Sequence, residues 1–155
     1  MKIDEEIKAN FITAQHRALV NIRYTSNYLG NLQNNFMSKF DLSMPQFNIL
    51  RILRGAKGAI NVNNVKDRMV EKSPNTTRLM DKLVDKNLVD RWRCNEDRRV
   101  VYIQLTEDGQ RLLKDIDQSI ELLTITNINL SDEEAQTLSD LLDKIRIEPS
   151  SHIEL

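Results

Sequence analysis

The chain has 155 residues, of which 40% are hydrophobic and 29% charged, with four glycines and three prolines, so it can bury a core as one domain and long disordered segments are excluded. It contains no run of about eighteen apolar residues and begins with the polar stretch MKIDEEIKAN, so we expect a cytoplasmic protein without a signal peptide or membrane partner. The single cysteine, Cys94, excludes an internal disulfide, and no Cys/His cluster is present, so neither a metal nor another cofactor is predicted.

The formal net charge is only −1, but the charge is unevenly distributed. Residues 43–105 contain thirteen Lys/Arg against seven Asp/Glu, whereas residues 106–155 contain four against twelve. A local cationic surplus is what a phosphate-binding surface requires. A solvated basic face without a partner is the alternative that charge alone leaves open.

The first forty residues carry an apolar stripe. From Ile3 to Phe40 apolar side chains recur at steps of three and four, which predicts one long helix or two abutting helices. A helix of that length spans about 60 Å, too long to bury its stripe against a small core. We therefore expect a kink near Gly30 or a partner chain, and hence an oligomer.

Short elements with capping residues follow. Ser43 predicts the start of a compact helix that ends near Gly55. Ala59–Asn61 is expected to form a very short strand, and Asn61 to cap a helix over Val62–Val70.

The stretch from Ser73 to Leu105 carries the strongest functional signal. Ser73 can cap a helix, with Pro74 in its first turn, and Asn87 suits the left-handed residue that ends it. Two strand-like runs follow, Val89–Cys94 and Arg99–Leu105, around a polar turn. A polar, basic helix followed by a hairpin is typical of a winged helix-turn-helix that lays a helix into a DNA groove.

The acidic C-terminal stretch, residues 106–155, is predicted to form two helices. Thr106 caps a helix running through Leu123, and Ser131-Asp132-Glu133-Glu134 is a capping box that opens a last helix, stopped by Pro149.

Three short motifs are characteristic of one family of proteins: Leu88-Val89, the wing Glu96-Asp97-Arg98-Arg99, and Leu105-Thr106-Glu107-Asp108-Gly109. With the preceding helix, they resemble the MarR family of bacterial winged-helix transcription regulators. One departure is Asn87, where that family usually has Gly; Asn also tolerates the left-handed conformation.

The resemblance implies a mostly α fold with a small β-hairpin wing, in which a winged helix-turn-helix domain is flanked by N- and C-terminal dimerisation helices. The expected parts are a dimerisation helix (1–40), the DNA-binding domain (43–105), C-terminal dimerisation helices (106–147) and a flexible tail (148–155). The implied function is a transcriptional regulator, a repressor more often than an activator, that binds a palindromic double-stranded DNA operator as a homodimer.

Candidate DNA contacts fall into three groups. The alternative for the helix residues is an ordinary exposed polar helix, and the alternative for the wing residues is a charged β-turn. The recognition helix offers Ser73, Asn75, Thr76, Thr77, Arg78 and Lys82, of which Thr77 is the weakest because that position can face inward. The resemblance implies that Arg99 enters the minor groove while Asp97 fixes the wing loop, with Arg98 as second candidate for that contact. Arg91 and Arg93 are expected at the DNA backbone, Trp92 is expected to pack on its neighbours, and Cys94 to be structural.

Many members of the family bind small aromatic or anionic molecules between the dimer arms and the winged domain. His16, Tyr24 and Tyr28 are candidates for such an effector cleft, although tyrosines at helical spacing also occur in cores and interfaces. No phosphate-cradling glycine motif or nucleophile constellation is present, so an enzyme is not predicted. A winged helix used only for protein interaction remains the alternative.

Overall fold

The computed structural model describes residues 2–70, 75–119 and 129–147, and contacts divide the chain into one unit of residues 1–122 and another of residues 123–155. Its elements, in chain order, are α1 (Ile3–Glu6), α2 (Ala14–Ser38), α3 (Met44–Ala56), β1 (Ile60–Asn61), α4 (Val62–Arg68), α5 (Thr76–Asp85), β2 (Val89–Arg93), β3 (Val101–Leu105), α6 (Glu107–Asp117) and α7 (Asp132–Ile145). Within the described ranges, every helix is too short or too polar to cross a membrane.

The predicted helix over residues 3–40 is interrupted, so the expectation of one long helix or two abutting ones is wrong. The chain leaves α1 through Lys8, which has a left-handed φ of 50°, and α2 starts only after Thr13, whose hydroxyl accepts the His16 backbone N–H. Charge-assisted hydrogen bonds join α1 to α2: Arg17 Nε donates to Asp4 Oδ1 at 2.9 Å and to Oδ2 at 3.2 Å, and Nη2 donates to Oδ2 at 2.8 Å. They lower the pKa of the Asp4 carboxyl below its ordinary value. From its cap onward α2 is one continuous helix that includes Gly30.

A compact core lies under α3. That helix begins with the predicted cap at Ser43, here a capping box in which Gln46 bonds back to the Ser43 backbone, and Lys57 ends it in the left-handed conformation. The strands form an antiparallel sheet in the order β1-β3-β2. The side chains at the centre of this core, each at most 1% exposed, are Ile49, Leu50, Leu53, Met80, Leu83, Ile103, Leu113 and Ile116. Burying each aliphatic side chain contributes about 1.5–3 kcal/mol.

Both helices of the helix-turn-helix are shorter than predicted. The Asn61 side chain caps α4 by accepting the Asn63 N–H, but the helix ends at Arg68 rather than Val70, whose side chain is 88% exposed. The next helix, α5, begins at Thr76 with Asn75 in the N-cap position, later than the predicted start; Ser73 and Pro74 lie outside the described residues.

A tight corner joins α5, the hairpin and α6. Asn87 adopts the predicted left-handed φ, 56°, and its amide donates to Asp108 Oδ2 at 2.9 Å. The Thr106 hydroxyl donates to the Asn87 carbonyl oxygen and accepts the Gly109 N–H. A Cβ at position 109 would lie 2.3 Å from the Leu88 carbonyl oxygen, so only glycine fits at the end of the Leu-Thr-Glu-x-Gly motif. Asn87 thus adds a hydrogen bond that the family's usual glycine cannot make.

The two long strands are shorter than predicted at the wing tip. In their antiparallel register Arg91 lies opposite Ile103, and Trp92 opposite Tyr102. The Trp92 and Tyr102 rings stack with centroids 6.1 Å apart, which confirms the predicted packing of Trp92.

The acidic helices start where predicted. Thr106 caps α6, which ends at Asp117 rather than at Leu123, a residue outside the described ranges. Ser131 opens α7 with the predicted capping box, and α7 ends at Ile145; Pro149 is not among the described residues. No residue of α7 is buried.

Candidate nucleic-acid interface

A concave groove of about 550 Å³ lies between α4, the start of α5 and the hairpin. Its cationic lining residues are Lys66, Arg91, Arg93 and Arg99, and none of the described residues that line it is a carboxylate. The groove therefore brings the recognition helix and the wing onto one positively charged surface. Such a concentration of positive charge in a concave surface attracts polyanions such as the DNA backbone.

The exposed face of α5 differs from the prediction at two adjacent positions. Thr77, expected to be the weakest candidate because it could face inward, is exposed and lines the groove. Thr76 is instead only 2% exposed, so its side chain lies inside the domain and is not available to DNA, contrary to the prediction. Arg78 and Lys82 are exposed one turn apart on α5, a spacing that places them on the same helix face.

The wing tip is held by its aspartate. Asp97 Oδ1 accepts the backbone N–H of Arg99 at 2.9 Å, and the Asp97 carbonyl oxygen accepts that of Val100 at 2.9 Å. This Asx-type turn orders the loop through the aspartate side chain. Arg98 and Arg99 are both exposed, but only Arg99 lines the groove.

The two arginines of β2 have different surroundings. Arg91 Nη2 lies 2.6 Å from Asp81 Oδ1 of α5, so its charge is partly neutralised within the protein. Arg93 lines the groove and makes no ion pair with any described residue. It is therefore better placed than Arg91 to meet a phosphate.

Sequence reasoning missed the contribution of α4. Asn63 and Lys66 line the groove, while Val62 and Val65 are buried. The signal was available, because the polar positions 63 and 66 are three residues apart and share one helix face.

The three predicted effector residues do not come together. Tyr24 and Tyr28 line a separate cavity of about 310 Å³ between α1 and α2, and the Tyr24 hydroxyl donates to Glu6 Oε1 at 2.7 Å. This hydrogen bond raises the pKa of Tyr24 above its ordinary value. His16 is not part of that cavity and instead contacts Phe11 edge-on, with ring centroids 5.6 Å apart. The described residues contain no His, Cys, Asp or Glu cluster suited to a metal ion.

The short helix pair, the basic second helix and the hairpin together define a winged helix-turn-helix DNA-binding domain. Residues 31–116 match the family model described as transcriptional regulator SarA/Rot. The chain is 33% identical to the HTH-type transcriptional regulator YfiV of Bacillus subtilis, over 74% of this chain and 70% of that protein. It is 32% identical to the multiple antibiotic resistance protein MarR of Salmonella typhimurium, over 74% and 80% of the two chains. The chain belongs to the MarR family of winged-helix transcription regulators.

A solved structure confirms the fold class. A mutant MarR from E. coli complexed with operator DNA superposes with a TM-score of 0.74 at 26% identity, over 89% of this chain and 99% of that chain. The predicted family and the mostly α fold with a hairpin wing are therefore confirmed, and the relatives are transcription regulators.

Proposed function

We propose that this protein is a homodimeric repressor that binds a palindromic double-stranded DNA operator. The observation that carries the proposal is the groove in which Thr77 of the recognition helix and Arg99 of the wing line one cationic surface. The operator complex of the MarR relative supports DNA as the partner.

Each group of side chains has a role in this proposal. Arg78 lies on the exposed face of α5 and enters the major groove, where Arg reads guanine edges. Lys82 lies further along the helix, toward the phosphates. Arg99 enters the adjacent minor groove, whose negative potential increases as it narrows. Lys66 and Arg93 contact phosphates, which positions the domain without reading sequence.

Dimerisation is supported by exposed apolar side chains on α2 and on α7, each helix taken by itself. On α2, Leu19 is 57% and Leu32 37% exposed; on α7, Leu141 is 54% and Ile145 53% exposed. A second copy is the partner that would cover such faces, and a two-fold dimer presents its recognition helices to half-sites about one helical turn apart.

A salt-dependent DNA titration tests the proposal. We expect an inverted-repeat operator to bind with a Kd of about 10⁻⁸ M or tighter, with a steep loss of affinity as salt rises. Footprinting should show two protected half-sites, and sedimentation should give a dimer. A winged helix used only for protein interaction would bind no duplex even at low salt, and protection of a single half-site would contradict the dimeric arrangement.

We further propose that a small aromatic effector occupies the cavity beside Tyr24 and Tyr28 and releases the operator. The Glu6 carboxylate also lines this cavity, which disfavours an anion and favours an uncharged aromatic molecule. A panel of neutral and anionic aromatics titrated against the operator complex tests this, with Tyr28→Ala as the variant expected to lose the response. Release by anions alone would contradict the proposal.

A further inference from the structure

The recognition helix carries a carboxylate on the side that faces the hairpin. Asp81 is one turn beyond Thr77 on α5, so the two side chains share a helix face, and Thr77 lines the groove. Asp81 Oδ1 lies 2.6 Å from Arg91 Nη2 on β2. Among the described residues, Arg91 is the one groove arginine in an ion pair.

We propose that Asp81 sets the strength of DNA binding, because it holds Arg91 back from the phosphate backbone and so weakens binding to DNA of any sequence. This inference rests on the proposed DNA-binding function. Phosphate contacts add affinity without sequence information, and a regulator must find its operator among a large excess of other sites. Withholding one cation from the backbone therefore lowers the affinity for operator and non-operator DNA alike, which limits how strongly the protein is held on the excess of other sites.

The geometry of the pair suits such a restraint. The Arg91 side chain is 28% exposed and that of Asp81 47%, so both are in contact with solvent and neither is locked in the core. Exposed ion pairs contribute little to stability, so a substitution at position 81 should leave the fold intact.

Asp81→Asn tests the inference because it removes the charge and keeps the side-chain shape. We expect affinity for a non-operator duplex to rise about 3- to 10-fold at matched salt, and the slope of log K against log salt to steepen by about 0.9, the value for one additional phosphate contact. Operator affinity should rise by a similar factor, so the ratio of operator to non-operator binding should stay about the same. Asp81→Ala, which suits a helix, should give the same direction.

Asp85→Asn is the matched control. Asp85 lies on the same helix one turn further on, is exposed, and has no ion pair with a described residue, so its substitution changes the net charge equally without releasing an arginine. In an Arg91→Gln background, Asp81→Asn should have no more effect than Asp85→Asn. Thermal melting of each variant confirms that it is folded.

Two outcomes would overturn this inference and leave the proposed DNA-binding function standing. Equal responses of Asp81→Asn and Asp85→Asn would reduce the effect to net charge, and weaker binding of both duplexes by Asp81→Asn would make the pair a scaffold for the wing. If the wild-type protein binds neither duplex at low salt, the proposed function fails and this inference fails with it.

Discussion

The winged domain and α7 differ in how far their apolar side chains are buried. In α3, five of thirteen residues are buried, and they pack within the domain. In α7, none of the fourteen residues is buried although the helix has a regular apolar face. The winged domain therefore completes its core from its own residues, whereas α7 has a well-defined start at Ser131 without burying any of its own residues.

The largest effect on stability is expected at a leucine of the winged domain, and a leucine of α7 provides the comparison. Leu50→Ala removes a side chain that is fully buried and should lower the free energy of unfolding by about 2–5 kcal/mol. Leu141→Ala, at a site 54% exposed, should instead weaken self-association. Urea unfolding at two protein concentrations, with sedimentation, measures both. The contrast between the two regions would be contradicted if Leu141→Ala lowered the free energy of unfolding as much as Leu50→Ala, independently of protein concentration.

Two glycines give the next contrast. Gly109→Ala forces a Cβ against the Leu88 carbonyl oxygen and should cost about 3 kcal/mol, because the backbone must shift. Gly30→Ala in α2 meets nothing within 4 Å and should stabilise the helix by about 0.5–1 kcal/mol. Thermal unfolding of the two variants beside the wild type checks both signs. A stable Gly109→Ala protein would show that the corner can relax.

A smaller effect is expected at the wing, where function rather than stability is affected. Arg99→Ala should weaken operator binding by about 1–3 kcal/mol, the scale of a good DNA contact, and leave the melting temperature unchanged because Arg99 is exposed. Arg98→Ala is the matched control, since Arg98 is exposed beside it but does not line the groove. Equal losses at both positions would assign the effect to general charge.

The smallest effect concerns the link between α1 and α2. The Arg17 guanidinium lowers the pKa of Asp4, so the unfolded state binds the proton more tightly than the folded state does. The stability from this pair is therefore present above the ordinary carboxyl pKa and is lost as the pH falls through the lowered value. NMR titration of the Asp4 carboxyl should show its pKa returning toward 3.8 in Arg17→Gln. An unchanged pKa in that variant would contradict the assigned cause.

Several elements were predictable because their determinants are local. Ser43, Asn61, Thr106 and Ser131 each bond to a backbone N–H two or three residues ahead, a distance that sequence spacing records directly. The break between α1 and α2 was not predictable in the same way. The apolar steps continue across it, and Lys8 does not carry the usual signature of a left-handed residue.

The sequence by itself determined the order of the elements from α3 onward and the starts of α3, α4, α6 and α7, because capping and hydrophobic periodicity act over three or four residues. The family followed from the resemblance of its wing and Leu-Thr-Glu-x-Gly motifs. Only the tertiary structure decided that Thr77 rather than Thr76 faces the groove, since that depends on where α5 begins and how it packs. It also decided that Arg91 is paired with Asp81 and that Gly109 lies against Leu88. Those partners are on different elements, and only packing of the intervening chain brings their atoms together.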